Sequence, residues 1–93
     1  MNIKKLNSLR NKIDRLDYKL LNIIKSRTYL VKKIIKIKKY KNQIVDQKRI
    51  RKVLANIRRL SIKKNIDPKI THKIWISMIR SFIDYEKRNF NKK

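Results

Sequence analysis

Leu20, Ile24, Arg27, Val31, Ile34 and Lys38 follow one another at steps of four, three, four, three and four residues. Apolar residues at that spacing share one stripe of a helix, so Arg27 and Lys38 stand where Leu or Ile is expected. The two are about 20° apart around a helix and about 16 Å apart along its axis. Burying two cations without counter-charge is very unfavourable, and the chain has only six acidic residues. Two readings stay open: both side chains snorkel to water at a bundle edge, or both await an anionic ligand between helices. Arg10 lies near the same stripe, through Ile13, Asp17 and Leu20, with a weak i+4 partner available in Asp14. It is about 42 Å from Lys38 on a straight helix. One chain therefore does not bring both to one small ligand through this helix, whereas a crossed or antiparallel second copy would.

The elements that must position these cations are helical. Gly is absent and Pro occurs once, and apolar residues recur at three and four. A first helix is predicted from Ile3 to Tyr40, with a seam of Leu6, Leu9, Ile13, Leu16, Leu20, Ile23, Ile24, Leu30, Val31, Ile34 and Ile35. At 1.5 Å per residue it is about 57 Å long, beyond what a compact domain of this size contains, so it needs a partner along its length. Lys41-Asn42-Gln43 breaks the pattern, and Asp46 is the predicted N-cap of a second helix through Ile50, Val53, Leu54, Ile57 and Leu60. Asn65-Ile66-Asp67-Pro68 is the clearest punctuation. Asp67 is expected to cap a third helix, with Pro68 in its first turn, where a missing N–H costs nothing. That helix carries Ile70, Ile74, Trp75, Met78, Ile79, Phe82 and Ile83 to about Lys87, and Asn89 to Lys93 are expected to fray. The expectation is one all-α domain over residues 1–93, with its core at about 6–88.

Composition removes most other chemistries. Without Cys there is neither a disulfide framework nor a thiolate metal site. One His makes no histidine cluster, and without Gly there is no phosphate-cradling loop; no metal or cofactor is expected. No apolar run approaches the roughly 20 residues that span a bilayer, and no signal-peptide pattern opens the chain, so a soluble cytoplasmic protein without a membrane partner is expected. The formal net charge is +23, which invites a nucleic-acid reading. Against it, Lys, Ile and Asn make up about half of the chain, the bias of an AT-rich genome, and most Lys residues are scattered over all faces. Nucleic acid is therefore not the expected partner.

The residues Leu9-Arg10-x-x-Ile13-Asp14-x-x-Asp17-x-x-Leu20, then Arg27 and Lys38, Asp46-x-x-Arg49 and Ile66-Asp67-Pro68, resemble the all-helical type of chorismate mutase. The resemblance covers about residues 6–88 and rests on the order and spacing of the pieces together. It implies a three-helix chain in an intertwined homodimer with two shared active sites, and the rearrangement of chorismate to prephenate without metal or cofactor. By position, it implies that Arg27 and the partner copy's Arg10 bind the two substrate carboxylates, with Arg49 in support. Lys38 would donate to a carboxylate and to the ether oxygen of the breaking bond. Asp46, through its backbone, and Phe82, as a pocket wall, complete the expected site.

Two positions depart from the family pattern. Ile50 stands where a Glu usually accepts from the C4 hydroxyl of chorismate. Glu86 stands where a Gln usually donates to the ether oxygen, and a carboxyl group donates only when protonated. Burial and a bound dianion favour that form, whereas Lys38 and the arginines oppose it. An apolar residue after Arg49, the 11-residue step from Lys38 to Arg49 and the stretch Phe82-Ile83-Asp84-Tyr85-Glu86 also resemble the isochorismate pyruvate lyase branch. The alternatives are thus that lyase, a non-catalytic regulatory relative, and a basic helical nucleic-acid-binding protein. The last does not explain cations on an apolar seam. His72 is read as a helix-edge residue, and Trp75, Phe82 and Tyr85 at helical spacing as core.

Overall fold

The computed structural model describes residues 2–91 and is all-α. Three α-helices follow in order: α1 over Ile3–Ile37, α2 over Gln47–Lys63 and α3 over Pro68–Asn89, with a 3₁₀ turn at Lys41–Gln43 between the first two. Among the described residues there is no strand. The chain divides into two compact units, Met1–Val31 and Lys32–Lys93.

The first unit is helical from Ile3 onward. Its seam is open in the single chain: Leu9, Ile13, Leu16 and Leu20 are each at least half exposed. The helix starts with the Asn2 side chain accepting from the Lys5 N–H at 3.0 Å, which satisfies one of the first-turn donors.

In the second unit α2 packs on α3. Ile50, Val53, Leu54, Ile57 and Leu60 of α2, and Trp75, Met78, Ile79, Phe82 and Ile83 of α3, are half-buried. The predicted stripe of α3 is therefore right from Trp75 onward, but Ile70 and Ile74 are exposed. Near the start of α3 the contact is polar instead: the hydroxyls of buried Ser61 and half-buried Thr71 lie 2.7 Å apart, and Ser61 Oγ also donates to the Ile57 carbonyl at 2.6 Å. Among the described residues the buried apolar side chains are few, namely Ile35 and Ile44.

The first helix ends at Ile37, three residues before the expected Tyr40. Lys38 still donates its N–H to the Ile34 carbonyl at 3.1 Å. The next two N–H groups, of Lys39 and Tyr40, turn instead to Oε1 of Gln43, at 2.8 and 2.9 Å. One side-chain carbonyl thus replaces two helical acceptors, which ends the helix without Gly or Pro. Ile44, 4% exposed, closes the turn into the core.

The other boundaries follow the predicted signals. Asp46 caps α2, its Oδ1 accepting from the Arg49 N–H at 3.0 Å. Asp67 caps α3, accepting from the Lys69 N–H at 2.9 Å, and Pro68 is its first residue. Between them Asn65 adopts φ 59°. Its N–H reaches the Ile62 carbonyl at 3.2 Å, and the Ile66 N–H reaches that of Ser61 at 2.8 Å, the paired bonds of a Schellman ending. In a glycine-free chain, Asn is the residue that enters the left-handed region at least cost. The third helix runs on to Asn89, two residues past the expected Lys87. The fraying expected of Lys92 and Lys93 falls outside the described residues.

Candidate active site

Lys38 and Glu86, 48 residues apart in sequence, meet in the second unit. Lys38 Nζ donates to Glu86 Oε1 at 3.0 Å, with the two side chains 21% and 10% exposed. Glu86 is delivered by the last turns of α3, where Phe82 precedes it by one helical turn and is half-buried. Lys38 is delivered from just past the end of α1, where its N–H still bonds the Ile34 carbonyl, directly before the residues that Gln43 turns out of the helix. An ion pair shielded to this extent keeps both groups in place more effectively than a surface pair does.

The start of α2 supplies the other expected residues of this unit. Asp46 is exposed and its side chain is engaged as the N-cap. Arg49, in the first turn, is exposed, and Ile50 beside it is half-buried. An aliphatic side chain at position 50 offers no hydrogen-bond acceptor. The first unit carries the remaining two: Arg10 is exposed, and Arg27 is half-buried on its helix. Thr28 beside it is also half-buried and turns its hydroxyl back to the Ile24 carbonyl at 2.9 Å.

Of the residues expected from the sequence, the structure thus brings Lys38 and Glu86 into direct contact. It assigns Asp46 a capping role and holds Arg49 and Ile50 in the turn that this cap begins. The direct Lys38–Glu86 pairing was not read from the sequence, where the two entered as opposing influences on one proton. Gln43 was missed as well; the signal available was an amide three residues after Tyr40, at the spacing from which a side chain reaches back to free N–H groups.

Chemically, a partly shielded ammonium beside a carboxylate offers a donor already aimed, and an acceptor that a ligand anion must replace or that must take up a proton. No curated protein and no solved structure matches the chain. The family described as Chorismate mutase type II matches it over residues 9–87. That span includes every candidate site residue from Arg10 to Glu86 and all three helices in large part, so the chain belongs to the chorismate mutase type II family, a family of isomerases.

Proposed function

We propose that this chain converts chorismate to prephenate in a pocket centred on Lys38, by holding the reactive conformer and stabilising the charge that grows on the ether oxygen. The observation that carries the reading is the partly shielded Lys38 ammonium held by Glu86 at 3.0 Å. The rearrangement is unimolecular, with no covalent intermediate, so catalysis requires restraint of the substrate and electrostatic preorganisation. In this reading the substrate's carboxylates take Arg27 and the Arg10 of a second copy, with Arg49 in support. Lys38 transfers its donation from Glu86 to the substrate. Glu86, once protonated, becomes a second donor to the ether oxygen. Asp46 offers backbone groups to the ring hydroxyl, and Phe82 forms an apolar wall.

A homodimer with shared sites belongs to the same proposal. Leu9, Ile13, Leu16, Leu20 and Ile24 are 36% to 61% exposed in the single chain. Covering the half of such a side chain that is still exposed is worth on the order of 1 kcal/mol each. A seam of that length on α1 is supported best by a second copy laid along it.

Ile50 favours a second reading, the splitting of isochorismate to salicylate and pyruvate. Isochorismate has its hydroxyl at C2, so the loss of a C4 acceptor matters less there, and the same cations serve. The deciding experiment is product analysis of the purified protein with each compound in turn. Prephenate from chorismate supports the mutase. Salicylate and pyruvate from isochorismate, with chorismate left intact, would replace it by the lyase. Inertness toward both would leave the chain a non-catalytic relative.

A further inference from the structure

The outward face of α2 carries a concentration of charge that the proposed reaction does not use. Helix α2 contains seven cations and no acidic residue. Its half-buried stripe of Ile50, Val53, Leu54, Ile57 and Leu60 faces inward, and all seven cations are exposed. At 100° per residue, Lys48, Arg51, Lys52, Arg58, Arg59 and Lys63 fall within about 140° of one another, opposite the buried stripe. Lys48 and Lys63 mark the ends of this strip, about 22 Å apart along the axis.

Two observations separate this strip from a generally basic surface. The first is residue type. The chain uses 20 Lys and 9 Arg, as AT-rich drift supplies, yet three of the six cations in the strip are arginines, Arg51, Arg58 and Arg59. Arg is the cation whose planar fork suits phosphate oxygens. The second is preorganisation. Arg59 Nη2 donates to Asn56 Oδ1 at 2.7 Å, which fixes its guanidinium on this face. Beside it lies an open hollow of about 460 Å³, lined by Lys52, Asn56 and Arg59 of this face together with the apolar Val53, Ala55 and Ile57 and with Arg49 of the proposed site.

We infer that this face of α2 binds the phosphodiester backbone of a nucleic acid duplex, without reading its sequence. Backbone contact needs cations in a row and no more. The strip has no aromatic residue on which a base would stack. A membrane surface fits less well, because an interfacial helix needs an apolar face of its own, and that of α2 is turned inward in the second unit. This inference is independent of the reaction at Lys38 and runs against the sequence-based expectation, which read most Lys residues as scattered over all faces and did not expect nucleic acid as a partner.

The test is fluorescence anisotropy of a labelled 20-bp DNA duplex titrated with the full chain from 50 to 300 mM KCl. With about six phosphates neutralised, log Kd is expected to change with log salt with a slope of about 5 in magnitude. The variant R51Q/R58Q/R59Q is expected to lower that magnitude by about 2 to 3 and weaken binding at least tenfold at 100 mM KCl, with an unchanged circular dichroism spectrum. The charge-matched variant K73Q/R80Q/R88Q, on α3, is expected to bind like the parent. Should the first variant fail to fold, Arg51→Gln and Arg58→Gln singly are each expected to remove about 1 from the slope. Equal losses in the two triple variants, or no binding at 50 mM KCl, would overturn the inference. Tighter, α2-dependent binding to phosphatidylglycerol vesicles than to the duplex would overturn it too, in favour of a lipid surface.

Discussion

The Lys38 ammonium donates to the Glu86 carboxyl group at 3.0 Å across 48 residues of sequence, and both side chains are largely shielded from water. A donor already largely shielded and held in place has less reorganisation left to undergo when charge appears on a substrate. The relationship therefore places the most informative substitutions at these two positions.

Lys38→Ala is expected to lower kcat for prephenate formation by about 10² to 10³, the cost of removing one donor from a preorganised site. The measurement is steady-state appearance of prephenate, with circular dichroism to verify the helices. A rate within threefold of the parent would exclude Lys38 from the chemistry.

Glu86→Gln supplies an N–H donor at all pH values, whereas Glu86 donates only when it holds a proton. The Gln variant is therefore expected to keep or raise kcat, whereas Glu86→Ala, which removes donor and acceptor alike, is expected to lower it by about 10². An unchanged kcat in Glu86→Ala removes Glu86 from the chemistry.

Ile50→Glu restores the missing acceptor. We expect kcat/KM for chorismate to rise relative to that for isochorismate, because a hydrogen bond to the C4 hydroxyl is gained only with the former. A ratio that does not move means that position 50 is not beside the hydroxyl.

Mixing Arg10→Ala with Lys38→Ala chains tests the shared site. Each alone is expected to be nearly inactive, and mixed dimers are expected to regain one intact site, up to about one quarter of parental activity if subunits exchange at random. Activity that stays at the level of the parents of the mixture rejects a site built from two copies.

Asn65→Ala is expected to destabilise the chain by about 1 kcal/mol, since a Cβ without a local polar partner is disfavoured at φ 59°. Asn65→Gly is expected to be neutral or stabilising. Urea denaturation followed at 222 nm measures both.

The helical class, the order of elements and both aspartate caps were legible in the sequence because each depends on neighbours only a few residues away. Asp46 and Asp67-Pro68 were read correctly for that reason. The end of α1 was not, because it depends on whether a Gln43 side chain turns back to two N–H groups, which composition alone does not reveal. Ile70 and Ile74 fit the helical period of α3 and are nevertheless exposed in the single chain. Periodicity assigns a residue to a face, whereas burial depends on what covers that face. The candidate cations were found because Arg27 and Lys38 interrupt an apolar stripe. The Lys38–Glu86 pairing was beyond reach because it joins positions whose distance only the tertiary fold sets.

Gln43 has an effect out of proportion to its position. With Lys39 and Tyr40 tethered to its amide oxygen, the chain leaves the regular spiral directly after the residue that carries the key ammonium, whose own N–H stays in the helical ladder. That tether sets the course of the connection to α2, so lengthening, shortening or deleting it would reroute the turn while every candidate site residue stays the same.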